Sequence, residues 1–204
     1  MKRIGTGCVV HNTNKIGLFG GTFDPIHLGH LHGAIELKNR FNLDRIIFIP
    51  ASIPPHKKSL KIAGTIHRLE MIRLAIKNHS DFVVSDSEIK RHGTSYSIDT
   101  ISYFKSTLSK DTHLLFIIGY DAFLELHTWK FPEKVLNSIS FIIMARPNES
   151  CYDSKMMKST LNKYLSSKFS QDSHEHGNSN KNTIFFADIP LLNISSTKIR
   201  SLIK

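Results

Sequence analysis

The segment that most constrains this chain is residues 20–30, which read GGTFDPIHLGH. It follows a short apolar run that predicts a buried strand, and it leads into residues whose pattern predicts a helix. A strand, a glycine turn and a helix N-terminus together form a phosphate site, because glycines let backbone approach the ligand and the helix N–H groups favour an anion. Two histidines three residues apart, His27 and His30, fall on one face of the first helical turn. The segment therefore predicts an anion site with two imidazoles directed at it.

Strand-like and helix-like segments alternate along the rest of the chain. Apolar, β-branched runs predict buried strands at residues 15–19, 45–49, 82–85, 113–118, 140–144 and 183–187. Helical patterns lie between them, at residues 28–39, 65–78, 97–107, 121–126, 152–165 and 196–203. This alternation predicts an α/β fold, a single doubly wound domain with a mainly parallel sheet covered by helices on both faces.

The helix predicted over residues 65–78 has the clearest periodicity. Its apolar residues are expected to lie mostly on one side, and they are Ile66, Leu69, Ile72, Leu74 and Ile76. That side is expected to pack on the sheet.

Segments that directly follow predicted strands hold almost every unusual residue cluster of the sequence. These segments are residues 20–30, 51–58, 87–96, 119–129, 146–148 and 188–197. In a doubly wound sheet, ligands bind beyond the carboxyl ends of the strands. The sequence therefore predicts one active cleft at that edge.

Composition narrows the class of protein further. With 204 residues and 40% apolar content, the chain suffices for one well-packed domain, which we place at residues 15–204 after an N-terminal extension at 1–14. The net charge of +10 allows nucleic acid, an anionic membrane surface or a polyanionic small substrate, but the basic residues are spread along the chain.

Targeting and redox features predict a cytoplasmic protein. The two cysteines, Cys8 and Cys151, are far apart and have no ligand-like spacing, so free thiols in a reducing compartment are expected. No run is long enough to span a membrane, and residues 1–14 lack the apolar core of a secretion signal. The polar tract 166–182 predicts a surface loop, in which His174 and His176 are solvated rather than metal ligands.

A second candidate anion site lies near the C-terminus, where residues 193–200 read NISSTKIR. Ser195 or Ser196 can cap a helix, and Arg200 follows within about one turn of Ser196. Alone, this segment indicates an ordinary capped helix with a solvated basic face. Paired with the early histidine segment, it predicts a clamp for a polyphosphate.

These segments together resemble the nucleotidylyltransferase superfamily. Its hallmark, His-x-Gly-His, stands here at residues 27–30, and its second signature is similar to residues 195–200. Three more segments, residues 93–100, 116–121 with Trp129, and 49–57, resemble the bacterial nicotinate-mononucleotide adenylyltransferases. The resemblance covers most of the chain and implies a Rossmann-like nucleotidylyltransferase fold.

The resemblance implies transfer of an adenylyl group from ATP to nicotinate mononucleotide, with deamido-NAD and pyrophosphate as products. The attacking phosphate needs no general base, because its second pKa is about 6. Catalysis then requires in-line placement and neutralisation of charge on the phosphoryl oxygens. Mg²⁺ is expected to arrive with ATP, held mainly through phosphates and water, with no dedicated protein metal cage.

The residue roles that the resemblance implies fall into three groups. Catalytic roles fall to His27, His30, Lys57 and Arg200. ATP contacts fall to Gly20, Gly21, Thr22, Phe23, His27, His30, Gly119, Asp121, Arg146, Ser196, Thr197 and Arg200. Mononucleotide contacts fall to Ser95, Tyr96, Ser97, Trp129 and Lys130. Trp129 is expected to stack on the cationic pyridine ring.

Three alternatives stay open. A related transferase could use nicotinamide mononucleotide, which differs from the nicotinate substrate at one charged group, or phosphopantetheine, against which Ser95, Tyr96 and Trp129 argue. From another class, a basic nucleic-acid-binding module would need clustered Lys and Arg with aromatic stacking residues, and neither is evident. We therefore expect ATP and nicotinate mononucleotide as partners, no nucleic acid and no membrane. The oligomeric state is left open, a homo-oligomer included.

Overall fold

Seven strands form one parallel sheet in the part of the chain that the computed structural model describes, residues 14–55, 62–145, 169–170, 182–190 and 192–203. The strands are β1 (Lys15–Gly21), β2 (Arg45–Pro50), β3 (Phe82–Val84), β4 (His113–Gly119), β5 (Ser140–Ala145), β6 (Phe169–Ser170) and β7 (Ile184–Asp188). Their order in the sheet is β3-β2-β1-β4-β5-β7-β6, and every pairing is parallel. The predicted α/β fold is confirmed. β6 is an addition, since it lies in the tract predicted as a loop.

Seven α-helices and one 3₁₀ helix connect these strands within the described residues. They are α1 (Leu28–Arg40), α2 (Thr65–Ile76), α3 (Ser87–Arg91), α4 (Ser97–Thr107), α5 (Tyr120–Leu124), the 3₁₀ helix (Glu125–Thr128), α6 (Pro132–Ser138) and α7 (Ser196–Leu202). The helix predicted over residues 121–126 is thus two shorter helices. The helices α3 and α6 were not predicted, and the helix predicted over residues 152–165 lies outside the described residues.

The two faces of the sheet carry separate hydrophobic cores. Successive side chains of a strand point to opposite faces, and β4 shows this directly. Its Leu114, Phe116 and Ile118 join one core, while Leu115 and Ile117 join the other. Burial on both faces is what makes the strands read as continuous apolar runs.

The direction of chain progression reverses between β1 and β4, which are neighbours in the sheet. β1 pairs with β2 on one side and with β4 on the other, so that Phe19 lies between Phe48 and Ile117. Such a switch point leaves a crevice outside the carboxyl ends of the two strands, because their connections leave in opposite directions. The histidine segment after β1 and the residues after β4 border this crevice.

The apolar side of α2 is narrower than predicted. Leu69, Ile72 and Ile76 are buried, whereas Ile66 and Leu74 are 60% and 67% exposed. Position 74 lies about 200° around the helix from position 72, so no single face can hold both side chains. The buried face instead includes Arg68, which is only 1% exposed.

None of the described helices has both the length and the apolar character that crossing a membrane requires.

Candidate active site

The two histidines of the early segment stack on each other at the start of α1. His27 is the N-cap residue, and the ring centroids of His27 and His30 are 3.7 Å apart. The backbone N–H of His27 donates to Nδ1 of His30 at 3.2 Å. Nδ1 of His30 is therefore an acceptor, so neutral His30 carries its proton on Nε2. An N–H at Nε2 is the type of donor that a phosphate oxygen accepts.

Burial keeps the histidine pair from carrying two charges. Desolvation lowers the pKa of His27 from its ordinary value of 6.5. His27 is consequently neutral at neutral pH. The helix itself begins at Leu28, directly after His27, as the sequence predicted.

The rings of Phe19 and Phe23, called the aromatic wall below, pack against His30. The rings of Phe23 and His30 meet edge to face at 5.1 Å, and Phe19 lies 6.2 Å from the same imidazole. Edge-to-face packing fixes the orientation of a ring. The wall therefore holds the His30 imidazole at the mouth of the crevice.

The glycine pair has a different structural purpose from the one predicted. Gly20 and Gly21 end β1 rather than forming a turn, and the residue with positive φ is Phe23, at 49°. A Cβ at Gly21 would lie 2.9 Å from Cζ of Phe23, a distance that real Cβ atoms do not tolerate. Glycine is required here because the Phe23 ring folds back onto the strand.

Residues 193–200, the late segment, pack directly against residues 20–30, the early segment. Ser195 caps α7 by accepting the N–H of Lys198 at 3.2 Å, and Ser196 Oγ donates to the carbonyl of Pro25 at 2.8 Å. Arg200 donates to the carbonyl of Asp24, and its Nη1 lies 3.7 Å from the Asp24 carboxylate. The predicted convergence of the two segments is thus seen in the structure.

Gly29 lets the late segment come this close. A Cβ at position 29 would meet the His27 ring at 3.1 Å and Cγ2 of Ile194 at 3.2 Å. Both contacts are tighter than ordinary van der Waals packing. The middle glycine of the motif therefore sets the spacing between the stacked histidines and the segment before α7.

Two adjoining cavities open at this edge of the sheet. The smaller, of about 160 Å³, lies between the histidines and the late segment, and the larger, of about 470 Å³, lies over β1, β2 and β4. Residues shared by both linings are His30, Gly119, Asp121 and Met144. His30 thus stands at the junction of two spaces, which suits a reaction that joins two substrates.

Most of the predicted site residues border these cavities. The smaller one is lined by His27 and His30, with Gly119, Asp121 and Ser195. The larger one is lined by all the predicted mononucleotide contacts, Ser95, Tyr96, Ser97, Trp129 and Lys130, together with Gly20, Gly21, Thr22 and Phe23. Ser196 and Arg200 bond to the early segment, and Thr197 accepts a hydrogen bond from Arg200. None of the three lines either cavity. Lys57 and Arg146 lie outside the described residues. The catalytic and binding roles of all the predicted site residues stay predictions.

Aromatic and cationic groups form one wall of the larger cavity. Trp129 packs edge to face on Phe116, with ring centroids 6.5 Å apart. The ammonium of Lys130 lies 4.5 Å from the centroid of the Tyr96 ring. The wall therefore offers a flat aromatic surface next to a cation.

A buried carboxyl in the larger cavity escaped the sequence analysis. Glu88 of α3 is 7% exposed, and Thr100 donates to its carboxyl oxygen. Burial raises the pKa of Glu88 from its ordinary value, and hydrogen bonds from Ser95 and Thr100 oppose the shift. The only sequence signal was its position in the segment after β3.

The raised pKa of Glu88 predicts a pH-dependent stability. A carboxyl whose pKa is higher in the folded state binds its proton more tightly there, so ionisation costs stability as the pH rises above the unfolded value. E88Q removes this cost, and its free energy of unfolding relative to wild type should increase from about pH 5 to about pH 8. Urea unfolding at the two pH values measures the difference. A difference that shrinks or stays constant would contradict the assignment.

No cluster of three or more His, Cys, Asp or Glu side chains suited to a metal ion occurs in the parts of the chain with described coordinates. The donors near the crevice are mainly imidazoles, hydroxyls and backbone N–H groups. These groups suit phosphate oxygens better than a cation that prefers carboxylate and water oxygens.

A sequence profile of the cytidylyltransferase-like family matches residues 18–202. The chain belongs to this family. Among members, a protein of Clostridium novyi (strain NT) named probable nicotinate-nucleotide adenylyltransferase is 40% identical over 190 residues, which are 93% of this chain and 87% of that protein. A protein of Desulfatibacillum aliphaticivorans with the same name is 38% identical over 191 residues, 91% and 87% of the two chains. Within the cytidylyltransferase-like family, the chain thus belongs with the nicotinate-nucleotide adenylyltransferases.

Solved structures of this family share the fold. The nicotinic acid mononucleotide adenylyltransferase of Plasmodium falciparum complexed with NaAD superposes with a TM-score of 0.68 at 21% identity, over 92% of this chain and 83% of that one. The same enzyme complexed with APC gives a TM-score of 0.65. The resemblance drawn from the sequence motifs is confirmed.

Proposed function

We propose that this chain catalyses adenylyl transfer from ATP to nicotinate mononucleotide, a step of NAD biosynthesis. A phosphate oxygen of the mononucleotide bonds to the α-phosphorus of ATP, the bond from that phosphorus to the bridging oxygen breaks, and pyrophosphate leaves. Deamido-NAD is the product. The observation that carries this proposal is the position of His30 between two adjoining cavities, one beside the late segment and one lined by Trp129.

The chain acts on the reacting groups by placement and charge. Nε2–H of His30 donates to a non-bridging oxygen at the α-phosphorus, where negative charge builds up in the transition state. The hydrogen bond from the His27 backbone and the aromatic wall fix the direction of that donor before the substrates arrive. Such preorganisation removes the cost of reorienting a donor during the reaction.

The late segment supplies the charge for the leaving pyrophosphate. The first turn of α7 offers N–H groups and hydroxyls, and Arg200 projects from the same helix beside Asp24. We assign ATP to the smaller cavity and this end of the crevice. Mg²⁺, when bound with ATP, neutralises phosphate charge, and the chain's own residues would hold it through the nucleotide phosphates and water.

The larger cavity fits the mononucleotide. A pyridine ring flat against Trp129 gains a cation–π contact, because the ring nitrogen is positively charged in the mononucleotide. Lys130 and the N-terminus of α4, at Ser97, lie where they favour the negative carboxylate of nicotinate over the neutral amide.

We also propose a cytoplasmic location, since a reducing compartment suits two cysteines without ligand-like spacing.

Incubation of the protein with ATP, Mg²⁺ and nicotinate mononucleotide tests the proposal directly. Pyrophosphate release and formation of deamido-NAD are expected together, in equal amounts. Nicotinamide mononucleotide is the matched acceptor, and it should give a lower kcat/KM. A preference for the amide, or no turnover of either mononucleotide, would overturn the proposed substrate.

Replacing Trp129 with alanine should raise the KM for nicotinate mononucleotide about 10-fold, on the scale of a desolvated cation–π contact, while the KM for ATP changes little. Trp129→Phe is the control, because it keeps a flat ring and should recover most of the affinity. Steady-state kinetics with each substrate varied in turn separates the two constants. An equal rise in both KM values would assign Trp129 to packing on Phe116 alone.

A further inference from the structure

A buried arginine, Arg68, contacts segments that line the larger cavity, and the proposed reaction gives it no role. Arg68 lies on the sheet-facing side of α2 and is 1% exposed, which makes it the largest fully buried side chain among the described residues. A buried guanidinium is costly unless its N–H groups are all directed at acceptors. Its partners therefore indicate what the arginine is for.

The partners of Arg68 are backbone carbonyls from three separate segments. Nη1 donates to the carbonyl of Thr22 at 2.7 Å, and Nη2 donates to the carbonyls of Ala51 at 2.7 Å and Ser52 at 3.2 Å. Nε donates to the carbonyl of Ala63 at 2.9 Å. One planar side chain thus joins the segment after β1, the segment after β2 and the start of α2.

Charge around Arg68 keeps it ionised. Burial lowers its pKa from the ordinary value, and the carboxylates of Asp24 and Glu88 oppose that shift. Asp24 is also tied to the same cluster, because its Oδ1 accepts the N–H of Ala63 at 3.1 Å. The charge of Arg68 is therefore compensated by four carbonyl dipoles and by the nearby acidic side chains.

A chain of hydrogen bonds extends from Arg68 to the predicted mononucleotide contacts. Ser52, whose carbonyl accepts from Arg68, donates its N–H to Ser95 Oγ at 2.8 Å. The N–H of Ser95 in turn donates to the carbonyl of Ile53 at 3.0 Å. Thr22, Ala51 and Ser95 all line the larger cavity, and none of them lines the smaller one. Thr22, which the resemblance assigned to ATP, thus borders the cavity proposed for the mononucleotide.

We propose that Arg68 is a positioning residue that sets the width of the mononucleotide cavity by holding the loops after β1 and β2 against each other. The inference rests on the proposed function for the identity of the substrate. Lysine at position 68 keeps the charge, but it cannot reach all four carbonyls from one ammonium group. Glutamine keeps a planar amide and loses the charge. Either change leaves carbonyls of the two loops without their donor, so the loops shift.

The experiment compares R68K and R68Q with I72V, a control on the same buried face of α2 that touches no loop carbonyl. Thermal melting gives the stability of each variant, and kinetics are measured well below every melting temperature. We expect the KM for nicotinate mononucleotide to rise about 10-fold or more in R68K and R68Q, on the scale of small displacements in a preorganised site. The KM for ATP should change less than about 2-fold, and I72V should leave both constants unchanged despite its lower melting temperature.

A second readout measures binding without turnover. Trp129 is the only tryptophan of the chain, so its fluorescence reports occupation of the larger cavity. Titration with nicotinate mononucleotide should give a Kd that rises in R68K and not in I72V. Four results would each overturn the positioning role. They are an equal rise in the KM values of both substrates, no rise in the mononucleotide KM or Kd of R68K, a rise in I72V that matches R68K, and failure of both arginine variants to fold. Failure of the wild-type protein to turn over the mononucleotide would instead count against the proposed function.

Discussion

Replacement of His30 by alanine lowers kcat about 10²–10³-fold, which is the scale for removing one donor to a transition-state oxygen. The reason is that Nδ1 of His30 accepts the backbone N–H of His27, which leaves Nε2 as the protonated atom. Substrate KM values change much less, because the charge that Nε2–H stabilises appears mainly in the transition state. Steady-state kinetics with saturating ATP and mononucleotide measures the loss.

The control for this variant is His32→Ala on the same helix. His32 follows His30 by two residues and lines neither cavity, so its loss should leave kcat unchanged. H30Q should recover part of the rate, because its side-chain amide can donate from a similar distance. Near-normal turnover in H30A would remove this imidazole from the mechanism.

Replacing Arg200 with methionine should lower kcat/KM for ATP about 10²-fold, through loss of a charge-assisted contact to the phosphates. Arg200 is held near the early segment by the Asp24 carbonyl and carboxylate. Its side chain keeps 40% of its surface exposed, so the guanidinium can still take a further anionic partner. The measurement is the dependence of rate on ATP concentration.

Lys198→Met is the matched control for R200M, because both remove one positive charge from α7. Lys198 is exposed and belongs to the same helical turn, but its side chain makes no described contact with the early segment. R200K should retain more activity than R200M, since it keeps the charge while losing the planar fork. Equal losses in K198M and R200M would indicate only a general effect of charge on ATP attraction.

The sequence located the crevice because its determinants are local. A helix start and two histidines three residues apart fall within eleven residues, and the structure stacks the two rings as the spacing suggests. The parallel sheet could also be predicted from the sequence, because strands that are buried on both faces consist of continuous apolar runs. The expectation that His27 and His30 share one face of the first turn was sound for this reason.

Arg68 and Glu88 show what local pattern cannot convey. The partners of Arg68 are carbonyls up to 46 residues away, and backbone acceptors leave no trace in residue identity. Its position one turn before Ile72 was the available signal, because that spacing places it on the buried side of α2. Ile66 and Leu74 show the opposite case: they were predicted to lie on the buried side of α2, and they are exposed. Apolar side chains are also common on protein surfaces, so apolar character alone did not establish burial.

The role of the glycine pair also depends on a tertiary contact that the sequence does not show. The sequence suggested backbone freedom, whereas the ring of Phe23 fills the space that a side chain at Gly21 would take. A side-chain ring folding back on its own strand depends on the positive φ of Phe23, which an aromatic residue rarely adopts. Residue type alone gave no signal of that conformation.

A crystal structure of the protein with a non-hydrolysable ATP analogue would show where the triphosphate binds relative to His30. We expect the α-phosphate within hydrogen-bonding distance of Nε2 of His30, with the outer phosphates between the first turn of α7 and Arg200. The adenosine should lie beside Gly119 and Asp121, and the space in front of Trp129 should remain open for the second substrate. A triphosphate bound away from His30, or adenine stacked on Trp129, would contradict the assignment of the two cavities.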